Sequence, residues 1–294
     1  MQERYISSGS SRLHIAVWEP SGERKAIMQI SHGMIEHIKR YSHFANYLNQ
    51  AGILVIGNDH KGHGLTAEKD EDLGYFGEEK SAAVIEDLHE VTRYAKEQYG
   101  ADVPYFLFGH SMGSLAVRAF AAEHDDCIDM LIICGSPSEN KARPLGKAIA
   151  CVEGRILGAH HKSKLLEAMS LGAYAMKFRG EGNRNSWICS DPEVYKAYTE
   201  SDLCGFTFTD DAYLALFDLM KKAYDVHGWR CTRSKMPVLF ISGAEDPCLG
   251  NVRKFAGAVH AMRRAGYLDV KGKLYQGMRH EILNEKDHEK VWKD

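Results

Sequence analysis

At 294 residues and 44% hydrophobic, the chain is long and apolar enough to bury a large core, which excludes a disordered protein. A formal charge of -3 supplies no broad positive field, so nucleic acid is excluded as the expected partner. Seven cysteines, odd in number and never spaced C-x-x-C, suggest neither a disulfide framework nor a zinc site.

The first residues, Met1 to Ser8, contain no apolar stretch of signal-peptide length, and no later run is long enough to span a bilayer. A soluble, cytoplasmic protein is expected. Residues Arg12 to Trp18 alternate in part and predict an early edge strand with one wet face. Ala26 to Ile30 predicts a second strand, which leads into Ser31-His32-Gly33-Met34-Ile35-Glu36-His37. A helix through Phe44, Ala45, Tyr47 and Leu48 ends at Gly52. The nearly continuous apolar run Ile53 to Ile56 fits a parallel strand covered on both faces, and Asp59-His60-Lys61-Gly62-His63-Gly64 lies at its end. A helix from Ala82 to about Tyr99 then delivers the chain to Tyr105-Phe106-Leu107-Phe108.

That fourth strand runs directly into Gly109-His110-Ser111-Met112-Gly113, followed by a buried helix through Leu115, Val117 and Phe120. Strand, G-x-S-x-G and helix together form a nucleophile elbow, whose tight turn lifts the serine hydroxyl above the sheet. Gly109 and Gly113 remove side chains that would clash with the turn, and Ser111 must adopt a strained backbone conformation. Met130 to Cys134 and Val238 to Ile241 are further buried strands. The hundred or so residues between them are helical in pattern and read as an inserted cap. A last strand from Gly272 to Gln276 and a helix from Glu281 to Trp292 close the chain. The alternation of strands and helices predicts an α/β fold, a doubly wound and mostly parallel sheet. The expected core comprises residues 1–136 and 236–294, and the helical cap 137–235.

A serine hydroxyl needs a histidine base and an acid to orient it. In α/β-hydrolases these follow in the order serine, acid, histidine, each on a loop after a strand. The loop after Ile241 offers Glu245 and Asp246; Asp246 is preferred because it falls one step before a helix, with Glu245 in reserve. A plain helix-terminal carboxylate is the alternative reading of Asp246. Among fifteen histidines, His280 follows the last strand where the base is required, whereas His260 and His288 fall within predicted helices. The oxyanion of an acyl-transfer intermediate needs two backbone N–H donors. Met112, after the nucleophile, and Met34, in the loop after the second strand, are the candidates.

His32-Gly33-Met34-Ile35-Glu36-His37 with Arg40-Tyr41, Asp59 to Gly64 and Gly109 to Gly113 resemble the signature blocks of the monoacylglycerol lipase and lysophospholipase branch of the α/β-hydrolases, often grouped with serine aminopeptidases. Ser242-Gly243-Ala244-Glu245-Asp246 and Gly277-Met278-Arg279-His280 extend the resemblance over nearly the whole chain. It implies ester hydrolysis through acylation of Ser111, with His280 as base and Asp246 orienting it, on a small, possibly lipid-derived acyl ester. No metal or organic cofactor is implied. Asp59, His60 and His63 imitate metal ligands, but their glycines fit a structural turn. In the cap, Leu165, Leu166, Met169, Leu171, Tyr174, Met176 and Phe178 either line an acyl channel or pack on the sheet domain. Asn185-Ser186-Trp187 and Asp202 to Phe206 resemble cap segments of bacterial members. Lys141, Arg143, Lys147, Arg155, Lys162 and Lys164 form a solvated face or one that touches anionic lipid transiently. Two other readings stand beside esterase: an amino-terminal peptidase or amidase, which needs a cap acid such as Glu153, Glu167, Glu181 or Asp191 for the substrate ammonium, and a non-catalytic small-ligand receptor.

Overall fold

The structure is a computed structural model that describes residues 1–9, 11–77 and 80–294. Its strands are β1 (Gln2–Ser8), β2 (Ser11–Trp18), β3 (Ala26–Ser31), β4 (Ile53–Asn58), β5 (Tyr105–His110), β6 (Met130–Cys134), β7 (Val238–Gly243) and β8 (Val270–Tyr275). They form one sheet in the order β1-β2-β4-β3-β5-β6-β7-β8. From β4 to β8 every pairing is parallel, while β1 and β2 pair antiparallel to their neighbours.

The helices of the body are α1 (Ser42–Gln50), α2 (Lys80–Tyr99) and α3 (Met112–His124). Strand periodicity sorts side chains to two cores, one on each face. In β3, Ile27 joins the core of Leu88, Leu107 and Phe120, beneath α2 and α3. Its neighbours Met28 and Ile30 join Phe44, Leu48 and Phe108, beneath α1. Gln29, fully buried between α2 and β5, is satisfied: Thr92 Oγ1 and Tyr105 OH donate to its Oε1, and its Nε2 donates to Leu88 O.

Between β6 and β7 lie α4 (Arg143–Leu157), α5 (Lys164–Glu167), α6 (Ala173–Lys177), α7 (Pro192–Glu200) and α8 (Asp210–Tyr224). A π-helical turn, Ala168–Gly172, joins α5 to α6. Helix α8 rests on α2 and α3, and α4 lies on α8, so the insertion is continuous with the body's packing. Helices α9 (Val252–Arg264) and α10 (His288–Lys293) belong to the body.

Three expectations need correction. Arg12 to Trp18 is not an edge strand: β1 covers it, and from Leu13 onward β2 is buried on both faces. His14 tolerates that burial because its Nδ1 hydrogen-bonds Asp59 Oδ2 at 2.8 Å. The final helix begins at His288, not Glu281; the preceding residues are held in turns, with Glu281 N donating to Ile188 O. The last strand starts two residues earlier than read, at Val270.

Candidate active site

Ser111 sits between β5 and α3 with φ 52° and ψ -117°, a conformation that a non-glycine residue adopts only at a cost of about 1–3 kcal/mol. The turn is enforced by contact: a Cβ on Gly113 would lie 2.1 Å from Ser31 O, and one on Gly109 2.4 Å from Gly113 O. Helix α3 therefore begins against β3, with Ser111 at the cavity's edge.

Asp246, 2% exposed, follows β7. Its Oδ1 accepts from Cys248 N at 2.8 Å, and its Oδ2 accepts from Ser242 Oγ at 3.1 Å and faces His280 Nδ1 at 2.9 Å. A carboxylate on Nδ1 fixes the tautomer with hydrogen there, leaving the Nε2 lone pair free. Glu245, the reserve acid, is exposed and does not contact His280. His260 is exposed on α9, and His288 packs on Trp292, 4.2 Å between ring centroids.

Ser111 and His280 line one cavity of about 280 Å³ together with Gly33, Met34 and Met112. Gly33 N is already taken by Glu36 Oε1, and Ile35 N by His63 Nε2. Among the described residues no acceptor takes Met34 N–H or Met112 N–H. The cavity walls are largely apolar, with Leu166, Met169, Leu171 and Tyr174 from the insertion and Leu216 and Phe217 from α8. Of the apolar stretch singled out in sequence, these four reach the cavity, while Leu165 and Met176 are exposed. Phe178 instead takes the Arg279 guanidinium on its face.

Sequence reasoning quoted several neighbouring residues without giving them a role. Trp187 packs against His280 in a tilted arrangement, 5.0 Å between centroids. A buried ionic network surrounds the site. Arg40 Nη1 donates to Glu36 Oε2 and Glu281 Oε1, each at 2.6 Å, and Nη2 donates to Glu281 Oε2 at 2.7 Å. Glu36 Oε1 also accepts from Tyr41 OH at 2.9 Å and faces His110 Nδ1 at 3.2 Å. His110 Nε2 lies 3.3 Å from His280 O. Burial opposes the charged form of His110, but the hydrogen bond and charge of Glu36 outweigh it and raise its pKa. Burial likewise opposes ionised Glu36, and the His110 hydrogen bond with the Arg40 charge holds its carboxyl well below the usual range. Two carboxylates thus face the Arg40 guanidinium and the His110 imidazole, whose raised pKa favours its charged form. The i,i+4 spacing of Glu36 and Arg40 was the only local signal for this network.

Asp59 braces the loop beside the site through its carboxylate. Asp59 Oδ1 accepts from Ile38 N and Oδ2 from Leu65 N, both at 2.8 Å, which fixes the backbone just after Met34 to Glu36. His32, His60 and His63 pack ring against ring beside it. Burial lowers the pKa of each, that of His63 to about 3. No helix among the described residues is long and apolar enough to cross a membrane.

Sheet order, nucleophile turn and cavity together define an α/β-hydrolase. The family described as "Serine aminopeptidase, S33" matches residues 22–287, and the chain belongs to it. The monoacylglycerol lipase of Mycolicibacterium smegmatis is 25% identical over 294 residues, spanning all of this chain and 94% of that protein. The monoglyceride lipase of Rattus norvegicus is 33% identical over 118 residues, 40% of this chain and 37% of that one. A thermostable carboxyl esterase from Bacillus coagulans, solved in complex with glycerol, superposes with a TM-score of 0.89 at 26% identity, over 99% of this chain and 95% of that chain. The chain is a carboxylic ester hydrolase.

Proposed function

We propose that the chain hydrolyses monoacylglycerols through a Ser111-His280-Asp246 triad and an acyl-enzyme. The observation that carries this reading is the largely apolar cavity with Ser111 and His280 on its wall and Asp246 hydrogen-bonded behind His280. Ser111 Oγ attacks the ester carbonyl carbon as His280 Nε2 takes its proton; the oxyanion is met by Met34 and Met112 N–H. Collapse breaks the bond to the glycerol oxygen, which leaves with the proton from His280. Water, deprotonated by the same nitrogen, then attacks the acyl carbon and releases the fatty acid and Ser111. Residues 137–235 act as the cap that supplies the acyl wall.

Electrostatics favour the ester over an amino-terminal peptide. A substrate ammonium needs a free carboxylate, yet the carboxylates lining the cavity, Glu36 and Glu281, are both held by Arg40. Glu167 is held by Arg184, Glu181 by Arg279, Asp191 caps α7, and Glu153, which has no such cation among the described residues, does not line the cavity.

The test is intact mass after fluorophosphonate treatment of wild type, Ser111→Ala and His280→Ala, followed by turnover of monoacylglycerols, lysophospholipids and a p-nitrophenyl ester chain-length series. Labelling is expected to require both residues, and either substitution is expected to lower kcat by about 10⁴-fold or more. A preference for lysophospholipid overturns the head group alone. A folded wild type that does not label overturns the triad and favours a non-catalytic receptor.

A further inference from the structure

Away from the cavity, three ligand-type side chains of the insertion converge. Glu153 comes from the later half of α4, His161 from the turn after it, and Asp210 from the first position of α8. One donor atom of each lies within 4.8 Å of the other two. His161 Nδ1 is 2.7 Å from Asp210 Oδ2, and Glu153 Oε2 accepts from Ser163 Oγ at 2.6 Å. The backbone holds them in place, with Asp210 N donating to His161 O at 2.9 Å and Lys162 bridged to Thr209.

Among the described residues no guanidinium joins these carboxylates as Arg40 joins Glu36 and Glu281. Neither carboxylate has a lysine or arginine partner among the described residues, and the group facing Asp210 is the imidazole of His161. Asp210 is 1% exposed, and its Oδ1 has no hydrogen-bond partner among the described residues. A buried carboxylate oxygen left bare is costly, and a ligand that satisfies it recovers that cost.

We propose that Glu153, His161 and Asp210 bind a divalent zinc ion. Two carboxylates and an imidazole form a three-residue set with room left for water, and the imidazole selects zinc over calcium or magnesium. Zinc bonds of about 2.0–2.1 Å require the donors to draw closer. Glu153 and His161, both partly exposed, have the freedom to do so, whereas Asp210 is fixed. On binding, His161 Nδ1 gives up its hydrogen bond to Asp210 Oδ2 and turns to the metal, with the neutral ring carrying its hydrogen on Nε2, while Asp210 offers its unpartnered Oδ1. The ion would tie the end of α4 to the start of α8, two helices that also wall the cavity through Gly146, Leu216 and Phe217.

Chain stripped with chelator is titrated with zinc chloride by isothermal calorimetry, and thermal unfolding is followed with and without one equivalent. The expected result is one-to-one binding with a raised Tm, and affinity reduced by about tenfold or more in both Glu153→Gln and His161→Asn. Both substitutions fall on partly exposed side chains, and circular dichroism checks that each variant folds. No binding by wild type, or binding unchanged in both variants, overturns the proposal. So does a Tm that responds to pH but not to zinc, which would identify a carboxyl pair sharing a proton.

Discussion

The sheet body and the helical insertion bring different kinds of structure to the same cavity. In the body, close backbone approach fixes the turn at Ser111, and hydrogen bonds hold Asp246 and His280 Nδ1. In the insertion, α4 exposes Leu145, Val152, Ile156 and Leu157, and the chain between α5 and α6 relaxes into a π-helical turn. Glycine contacts and buried ion pairs restrict the arrangements open to the body. The insertion meets the substrate with apolar surface, which packing fixes less tightly. On the proposed function, reaction geometry resides in the body and the fit of the acyl chain in the insertion.

The strongest test of the body's rigidity is Arg40→Ala. It leaves Glu36 and Glu281 buried without their cation, and breaking such a pair costs about 3–5 kcal/mol. Urea unfolding should show that loss, together with reduced esterase activity, because Glu36 also holds Gly33 N. A loss under about 1 kcal/mol would mean the network contributes little, and the contrast between the two regions would weaken.

A pair of glycines sharpens the same contrast. Gly113→Ala puts a methyl 2.1 Å from the Ser31 carbonyl, an overpacking expected to cost about 3 kcal/mol. Gly172→Ala, in the insertion, meets nothing closer than 3.8 Å and should stabilise its helix by up to about 1 kcal/mol. Paired denaturation curves decide it: equal effects at the two positions would contradict the division.

What could be read in the sequence follows this division too. The parallel strands, the nucleophile turn and the loops that carry Asp246 and His280 were legible because each rests on a local pattern: an apolar run, a glycine spacing, a loop after a strand. The β1 strand escaped notice because Gln2 to Tyr5 is exposed and carries no apolar alternation. Treating Arg12 to Trp18 as an edge followed from that omission. Glu281 read as the start of a helix because nothing local reveals that Arg40, 241 residues away, binds it. The cluster of Glu153, His161 and Asp210 was illegible for the same reason, since its members share no motif and meet only through the packing of α4 on α8.

Acid provides the mildest perturbation and separates the body's buried groups by sign. Burial lowers His63 to about 3 and His37 to about 4. Below pH 6.5 the unfolded chain takes up protons that these imidazoles refuse in the folded state. Stability should therefore fall with pH by about 1.4 kcal/mol per unit for each fully depressed histidine. His110 acts in the opposite sense: its raised pKa contributes stability that is complete below pH 6.5 and is lost only as pH rises through its folded value. The lowered carboxyls of Glu36 and Asp59 lose their contribution at lower pH, as they protonate. Between pH 6.5 and 5 the slope thus belongs to the histidines packed behind the Met34 loop. Urea unfolding free energies that stay flat across that window would show that water reaches His63, and the body would be less tightly closed than its packing implies.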